Sequence, residues 1–80
     1  MAKFIESSVK FYHQDYIGER CNHPVNIDFC TELIKKNEPN GYGKKYPMIV
    51  FKGCDATWYY DENDQDIRDA DYVNILKLNS

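Results

Sequence analysis

No apolar run in this sequence is longer than Met48-Ile49-Val50-Phe51, and a helix crossing a bilayer needs roughly 20 such residues, so no membrane-spanning helix is expected. The N-terminus, Met1 to Ser8, turns polar at once and lacks the apolar core of a secretory leader, which makes a cytoplasmic location the expectation. Cysteine is sparse and unpaired in spacing. Cys21, Cys30 and Cys54 form an odd set with no Cys-x-x-Cys, which argues against a disulfide framework and fits a reducing compartment, with the thiols expected as small buried apolar groups. A phosphate-cradling loop is also missing, since Gly41 and Gly43 are not followed by Lys-Ser/Thr. There is no internal repeat, low-complexity tract or linker.

What remains is the composition of one folded domain. The 80 residues are 42% hydrophobic and 15% aromatic, with seven Tyr, which predicts an aromatic-rich core. A chain of this length buries only roughly 60% of the surface its unfolded form exposes, leaving no room for a second core. Net charge is −3, unevenly spread. Residues 1 to 60 carry eight Lys/Arg and seven Asp/Glu, whereas Asp61, Glu62, Asp64, Asp66, Asp69 and Asp71 crowd into eleven positions against Arg68 alone. The acidity is therefore local, and a surface feature.

Along the chain, Ile5, Val9 and Phe11 alternate with Glu6, Ser8 and Lys10, the two-residue period of a half-buried strand over Lys3 to His13. Gln14 to Pro24 contains Gly18, Asn22 and Pro24 and is expected to be a connection. Val25 to Lys36 is ambiguous: Val25, Ile27 and Phe29 alternate as in a strand, while Phe29, Cys30, Leu33 and Ile34 recur as on a helix that Asp28 could cap and Asn37 could end. Both a strand with a helical turn and a short helix near residues 28–36 stay open. Asn37 to Pro47, with two Gly and two Pro, is expected to be a long loop. Met48 to Lys52, the turn Gly53-Cys54-Asp55, and Ala56 to Tyr60 predict a hairpin with Trp58 and Tyr60 on one face and Thr57 and Tyr59 on the other. Beyond Gln65, the positions Ile67, Ala70, Val73 and Leu76, with Tyr72 and Ile75, fit an amphipathic helix capped by Asp64 or Asp66; a terminal strand over Tyr72 to Leu78 competes with it.

The acidic stretch invites three readings. Asp61, Asn63 and Gln65 alternate like the start of an EF-hand loop, but Asp66 stands where that loop needs Gly and Tyr72 where it needs a bidentate Glu, so calcium is disfavoured. The carboxylates could instead imitate nucleic-acid phosphates and occupy a basic groove on a partner protein. The plainer alternative is a solvated helix start. Cys21, His23, Cys30 and Cys54 have zinc chemistry without zinc spacing, and nothing in the sequence brings Cys54 or Cys30 to His13 or His23 as a nucleophile pair. Tyr42, Lys44, Lys45 and Tyr46 mix basic and aromatic groups that can stack bases, but two lysines in an acidic domain favour a plain loop.

Taken together, Met48-Ile49-Val50-Phe51, Trp58-Tyr59-Tyr60 and Arg68-Asp69-Ala70-Asp71-Tyr72, preceded by Pro24-Val25-Asn26-Ile27-Asp28, resemble small phage and mobile-element proteins with a layout of strand, aromatic strand and Arg-Asp-x-x-Tyr helix. The long segment from Asn37 to Pro47 departs from that layout. The resemblance implies packing and a phage setting, in which small acidic proteins act as inhibitors of host nucleases or defence complexes, as anti-CRISPR proteins do.

The expected fold is α+β: a small antiparallel sheet of three to four strands with a C-terminal helix on one face. The expected function is non-enzymatic binding of a protein partner with a basic surface, within a nucleic-acid-binding complex, with no direct nucleic-acid contact, no membrane, no metal and no cofactor. Tyr59 is the expected aromatic anchor, with Asp61, Glu62, Asp64, Asp66, Asp69 and Asp71 meeting Lys/Arg; Asp69 and Asp71, inside the helix where capping does not need them, are favoured. A homo-oligomer, such as a homodimer, and a zinc or thiol enzyme are the alternatives from other classes.

Overall fold

The longest apolar run of the chain lies at the centre of its largest sheet. A computed structural model describes residues 3–14, 18–39 and 45–78, with side chains described over 3–11, 21–37 and 45–78. The elements in order are β1 (Phe4–Ile5), β2 (Phe11–Gln14), β3 (Gly18–Cys21), β4 (Val25–Asn26), a 3-10 turn (Ile27–Phe29), β5 (Glu32–Pro39), β6 (Lys45–Lys52), β7 (Ala56–Tyr59) and α1 (Gln65–Leu78). All pairing is antiparallel: β1 with β4, β2 with β3, and a three-stranded sheet in the order β5-β6-β7. Helix α1 packs on this sheet through β6, and the class is α+β.

The register divides the sheet into two faces, because successive side chains on a strand point opposite ways. Leu33, Phe51 and Ala56 form one rung and Lys35, Ile49 and Trp58 another on the helix side. Ile49, Phe51 and Trp58 are at most 1% exposed, and with Tyr60, Ile5, Val25, Ile27 and Ile75 they make the core. The Phe51 and Trp58 rings meet edge to face at 4.8 Å, a contact worth about 0.5–1.5 kcal/mol beyond the area it buries. Pro47 fits within the central strand because its carbonyl accepts from the Tyr60 N–H, so its missing N–H faces the side where β7 has already ended.

Several expectations are corrected. The segment Lys3 to His13 is two short strands, broken where Ser7 and Ser8 divert hydrogen bonds away from a ladder: the Ser7 hydroxyl accepts from the Val9 N–H, and Ser8 donates from N–H and hydroxyl to Asp71. Phe11, expected on the buried side, is exposed. Within Gln14 to Pro24, residues Gly18–Cys21 form a strand paired with β2. Val25 to Lys36 takes the strand-with-turn form, as Asn26 accepts from the Asp28 N–H to start the 3-10 turn; the chain then runs into β5 instead of a helix. The supposed long loop is mostly hairpin, since β5 runs to Pro39 and β6 starts at Lys45. The hairpin of β6 and β7 is where it was expected, with Gly53 at φ 94° and Asp55 at φ 53° in its turn.

The helix lies where the periodicity places it, but of the expected apolar set only Tyr72 and Ile75 pack on the core. Ile67, Val73 and Leu76 are exposed by 39–47%, and Ala70 is exposed with them, whereas Arg68, Asp71 and Ile75 are buried. Asp64, just before α1, accepts from the Arg68 N–H through its carbonyl, which places it at the N-cap.

Candidate functional site

One of the carboxyl-bearing helix positions belongs to the interior. Asp71, 5% exposed, accepts from the Tyr60 hydroxyl at 2.6 Å and from the Ser8 N–H and hydroxyl. The Ser7 hydroxyl in turn donates to the Tyr60 oxygen, and the Asn22 amide donates to Ser7, to the Val9 carbonyl and to the Tyr59 carbonyl. Among the described residues no buried side-chain polar atom lacks a partner, which is the condition under which such a network holds a fold together. Burial first, and then the hydrogen bond to Asp71, pushes the Tyr60 hydroxyl well above the ordinary tyrosine range. Expecting Asp71 to face a partner is therefore corrected: a carboxylate enclosed by Tyr60 and Ser8 has no free side to offer.

Arg68 is equally interior, at 3% exposure. Its guanidinium donates to the Lys36 and Met48 carbonyls and to Asn37 Oδ1, and its Nε donates to Asp69 at 2.7 Å. It thus ties α1 to β5 and β6, and it holds Asp69 from one side while Lys35 Nζ stands 4.0 Å away on the other. Asp69 is half-buried and committed within the molecule. Tyr72 completes this belt by donating to the Leu33 carbonyl beneath the Lys35 ammonium. The Arg-Asp-x-x-Tyr pattern is a packing device.

The remaining acids lie together at the head of the helix. Asp61 and Asp64 are half-buried, Glu62 and Asp66 exposed, on a turn closed by the Asp64 N–H donating to the Asp61 carbonyl. Residues 65 to 72 are helical, so the chain cannot wrap a cation in the manner of an EF-hand loop. Tyr59, two residues before Asp61, is half-buried on the sheet face away from α1. That face carries the rungs Ile34, Val50, Thr57 and Lys36, Met48, Tyr59, followed by Tyr46. Ile34, Tyr46, Val50, Thr57 and Tyr59 all keep partial exposure, in contrast to the sealed helix side. A one-sided antiparallel sheet ordinarily presents polar groups to water; this one presents aliphatic and tyrosyl groups with Lys36 and Lys52 at the margin. The edge of β7 is occupied by Asn22, whose side chain accepts from the Tyr59 N–H and donates to its carbonyl as a neighbouring strand would.

Tyr46, Met48 and Val50 were not among the expected binding residues. Their signal was the alternation through Lys45 to Lys52, hidden because Tyr46 and Pro47 read as loop. Of the basic and aromatic loop residues, Lys45 and Tyr46 are in β6, while Tyr42 and Lys44 lie outside the described residues. Cys21 is exposed and Cys30 and Cys54 half-buried, correcting the expectation of buried thiols; the exposed His23 accepts from the Trp58 indole N–H through its carbonyl, and the His13 side chain is outside the described set. Among the described residues no three His, Cys, Asp or Glu side chains converge as metal ligands, and no helix is long and apolar enough to cross a membrane. Compared with protein-family models, curated proteins and solved structures, the chain matches none.

Proposed function

We propose that this chain is a small non-enzymatic binding protein that engages a protein partner through the acidic turn Asp61 to Asp66 and the adjoining sheet face around Tyr59. The carrying observation is that juxtaposition: acids at one end of a partly exposed patch of Tyr46, Val50 and Tyr59. Protein interfaces combine an apolar, aromatic centre with a charged margin that steers approach and selects partners. A partner rich in Lys/Arg is the complement of this turn, and nucleic-acid-handling complexes are the class in which such surfaces are common. The phage-type inhibitor of a host defence complex, in the manner of anti-CRISPR proteins, is the particular form this reading takes; its site of action would be the cytoplasm of a bacterial host.

The test is inhibition of DNA cleavage by a panel of purified CRISPR effector complexes. The wild-type chain is expected to suppress at least one of them. The variant carrying Asp61→Lys, Glu62→Lys and Asp66→Lys is expected to lose that suppression while keeping its far-UV circular dichroism. Suppression by none of the panel, or suppression unchanged in the triple variant, removes the reading. Self-association is the second reading, favoured by the outward apolar positions Ile67, Val73 and Leu76 of α1. Sedimentation equilibrium that finds only monomer at high concentration excludes it.

A further inference from the structure

The geometry points to Cys30 and Cys54 as a reversible dithiol–disulfide pair that staples the end of the 3-10 turn to the turn between β6 and β7. The two segments are in direct contact. The Thr31 N–H donates to the Lys52 carbonyl at 2.7 Å, and a Cβ placed on Gly53 would stand 2.3 Å from the Phe29 carbonyl oxygen. The glycine, with φ of 94°, is what lets the chain on either side of Cys54 come so close to the chain on either side of Cys30. Cys54 Sγ donates to the Asn26 carbonyl and Cys30 Sγ donates to the Glu32 carbonyl, so each thiol sits on its own segment directly beside the contact between them. Both also pack against the same core cluster. Cys21 is exposed at the end of β3 and belongs to neither segment.

The pair has an approach for a small oxidant. Cys30 lines an open groove of about 160 Å³ between the 3-10 turn and the C-terminal half of α1, together with Ile27, Thr31, Leu33, Ile75 and Leu76. A low-molecular-weight disulfide such as oxidised glutathione supplies the two electron-pair changes required. The Cys30 thiolate attacks one sulfur of that disulfide, breaking its S–S bond and releasing one glutathione thiolate. Cys54 then loses its proton and attacks the Cys30 sulfur of the mixed disulfide, releasing the second glutathione thiolate. The protein is oxidised by two electrons, the small disulfide is reduced to two thiols, and two protons have passed from protein to glutathione. Burial, and after it the neighbouring Cys30 sulfur, pushes the Cys54 thiol up, which disfavours its thiolate while Cys30 is free. Capping Cys30 in the first step removes that sulfur's charge and eases the ionisation of Cys54.

The experiment equilibrates the purified chain in glutathione buffers of increasing oxidation, traps free thiols by alkylation, and reads intact mass and a peptide map. The expected product is a monomer lighter by ~2 Da with one alkylatable thiol, Cys21, and a peptide joining residues 30 and 54. The same link is expected in Cys21→Ser, and its formation is expected to raise the thermal midpoint by several degrees in both chains. Cys30→Ser and Cys54→Ser are expected to show neither link nor shift. Three alkylatable thiols in the most oxidising buffer, a link through Cys21, or glutathione persisting on Cys30 without release would each overturn the assignment.

Discussion

Tyr60 and Asp71 show how a single buried hydrogen bond sets the behaviour of two residues. Burial, with the Asp71 hydrogen bond adding to it, raises the Tyr60 pKa above its unfolded value, so the fold favours the neutral phenol. The stability this contributes is complete below the ordinary tyrosine pKa of ~10 and is lost as pH rises beyond it. Urea unfolding measured from neutral to alkaline pH is therefore expected to show stability falling above pH ~10 in the wild type, with a shallower fall in Tyr60→Phe. At neutral pH the same substitution is expected to cost about 1–3 kcal/mol, because Asp71 loses a donor inside the protein. Asp71→Ala should cost a similar or larger amount, about 2–3 kcal/mol, by leaving Tyr60 and Ser8 without their acceptor. Asp66→Ala, on the surface, should stay within about 0.5 kcal/mol. Equal effects at positions 66 and 71 would contradict the inward placement of Asp71. Helix position alone favours Asp71 over Asp66 as the outward residue; what reverses that order is that Ser7, Ser8 and Tyr60 arrive around Asp71 and not around Asp66.

At the scale of elements, α1 was legible as a helix and illegible as a surface. Its apolar residues repeat at a helical period, and the ordinary inference is that such a stripe faces the core. Here the core side is Arg68, Asp71, Tyr72 and Ile75, because the sheet leaves carbonyls at Leu33, Lys36 and Met48 and a phenol at Tyr60 that polar side chains can satisfy. Ile75→Ala is accordingly expected to cost about 2–4 kcal/mol in denaturant titration. Val73→Ala, at a position about half exposed, should fall within about 0.5 kcal/mol. A reversed ranking would mean that the helix packs by its apolar stripe after all. The hairpin of β6 and β7 was readable because β-branched and aromatic residues flank a Gly-containing turn, a wholly local pattern. The β2–β3 ladder and the outer reach of β5 and β6 were not, because Gly18, Pro39 and Pro47 carry the local marks of loops while their pairing partners lie elsewhere in the chain.

For the whole molecule, the single core draws on β1, β4, the 3-10 turn, β6, β7 and α1 together, with Trp58 at its centre at 1% exposure. Loss of any of these layers exposes the same indole, so tryptophan fluorescence and far-UV circular dichroism are expected to report one coincident denaturation midpoint. Separate midpoints would show that the helix or a hairpin unfolds independently. The sequence by itself determined the class, the hairpin, the helix and the local excess of acid, since composition, periodicity and turn chemistry act over a few neighbouring residues. Only the tertiary structure decided which acids are surface and which are structure, that Tyr59 shares a partly exposed sheet face with Tyr46 and Val50, and that the chain around Cys30 meets the chain around Cys54. Those outcomes depend on strand register and on which buried polar atoms find partners, and both are settled by residues far apart in the chain.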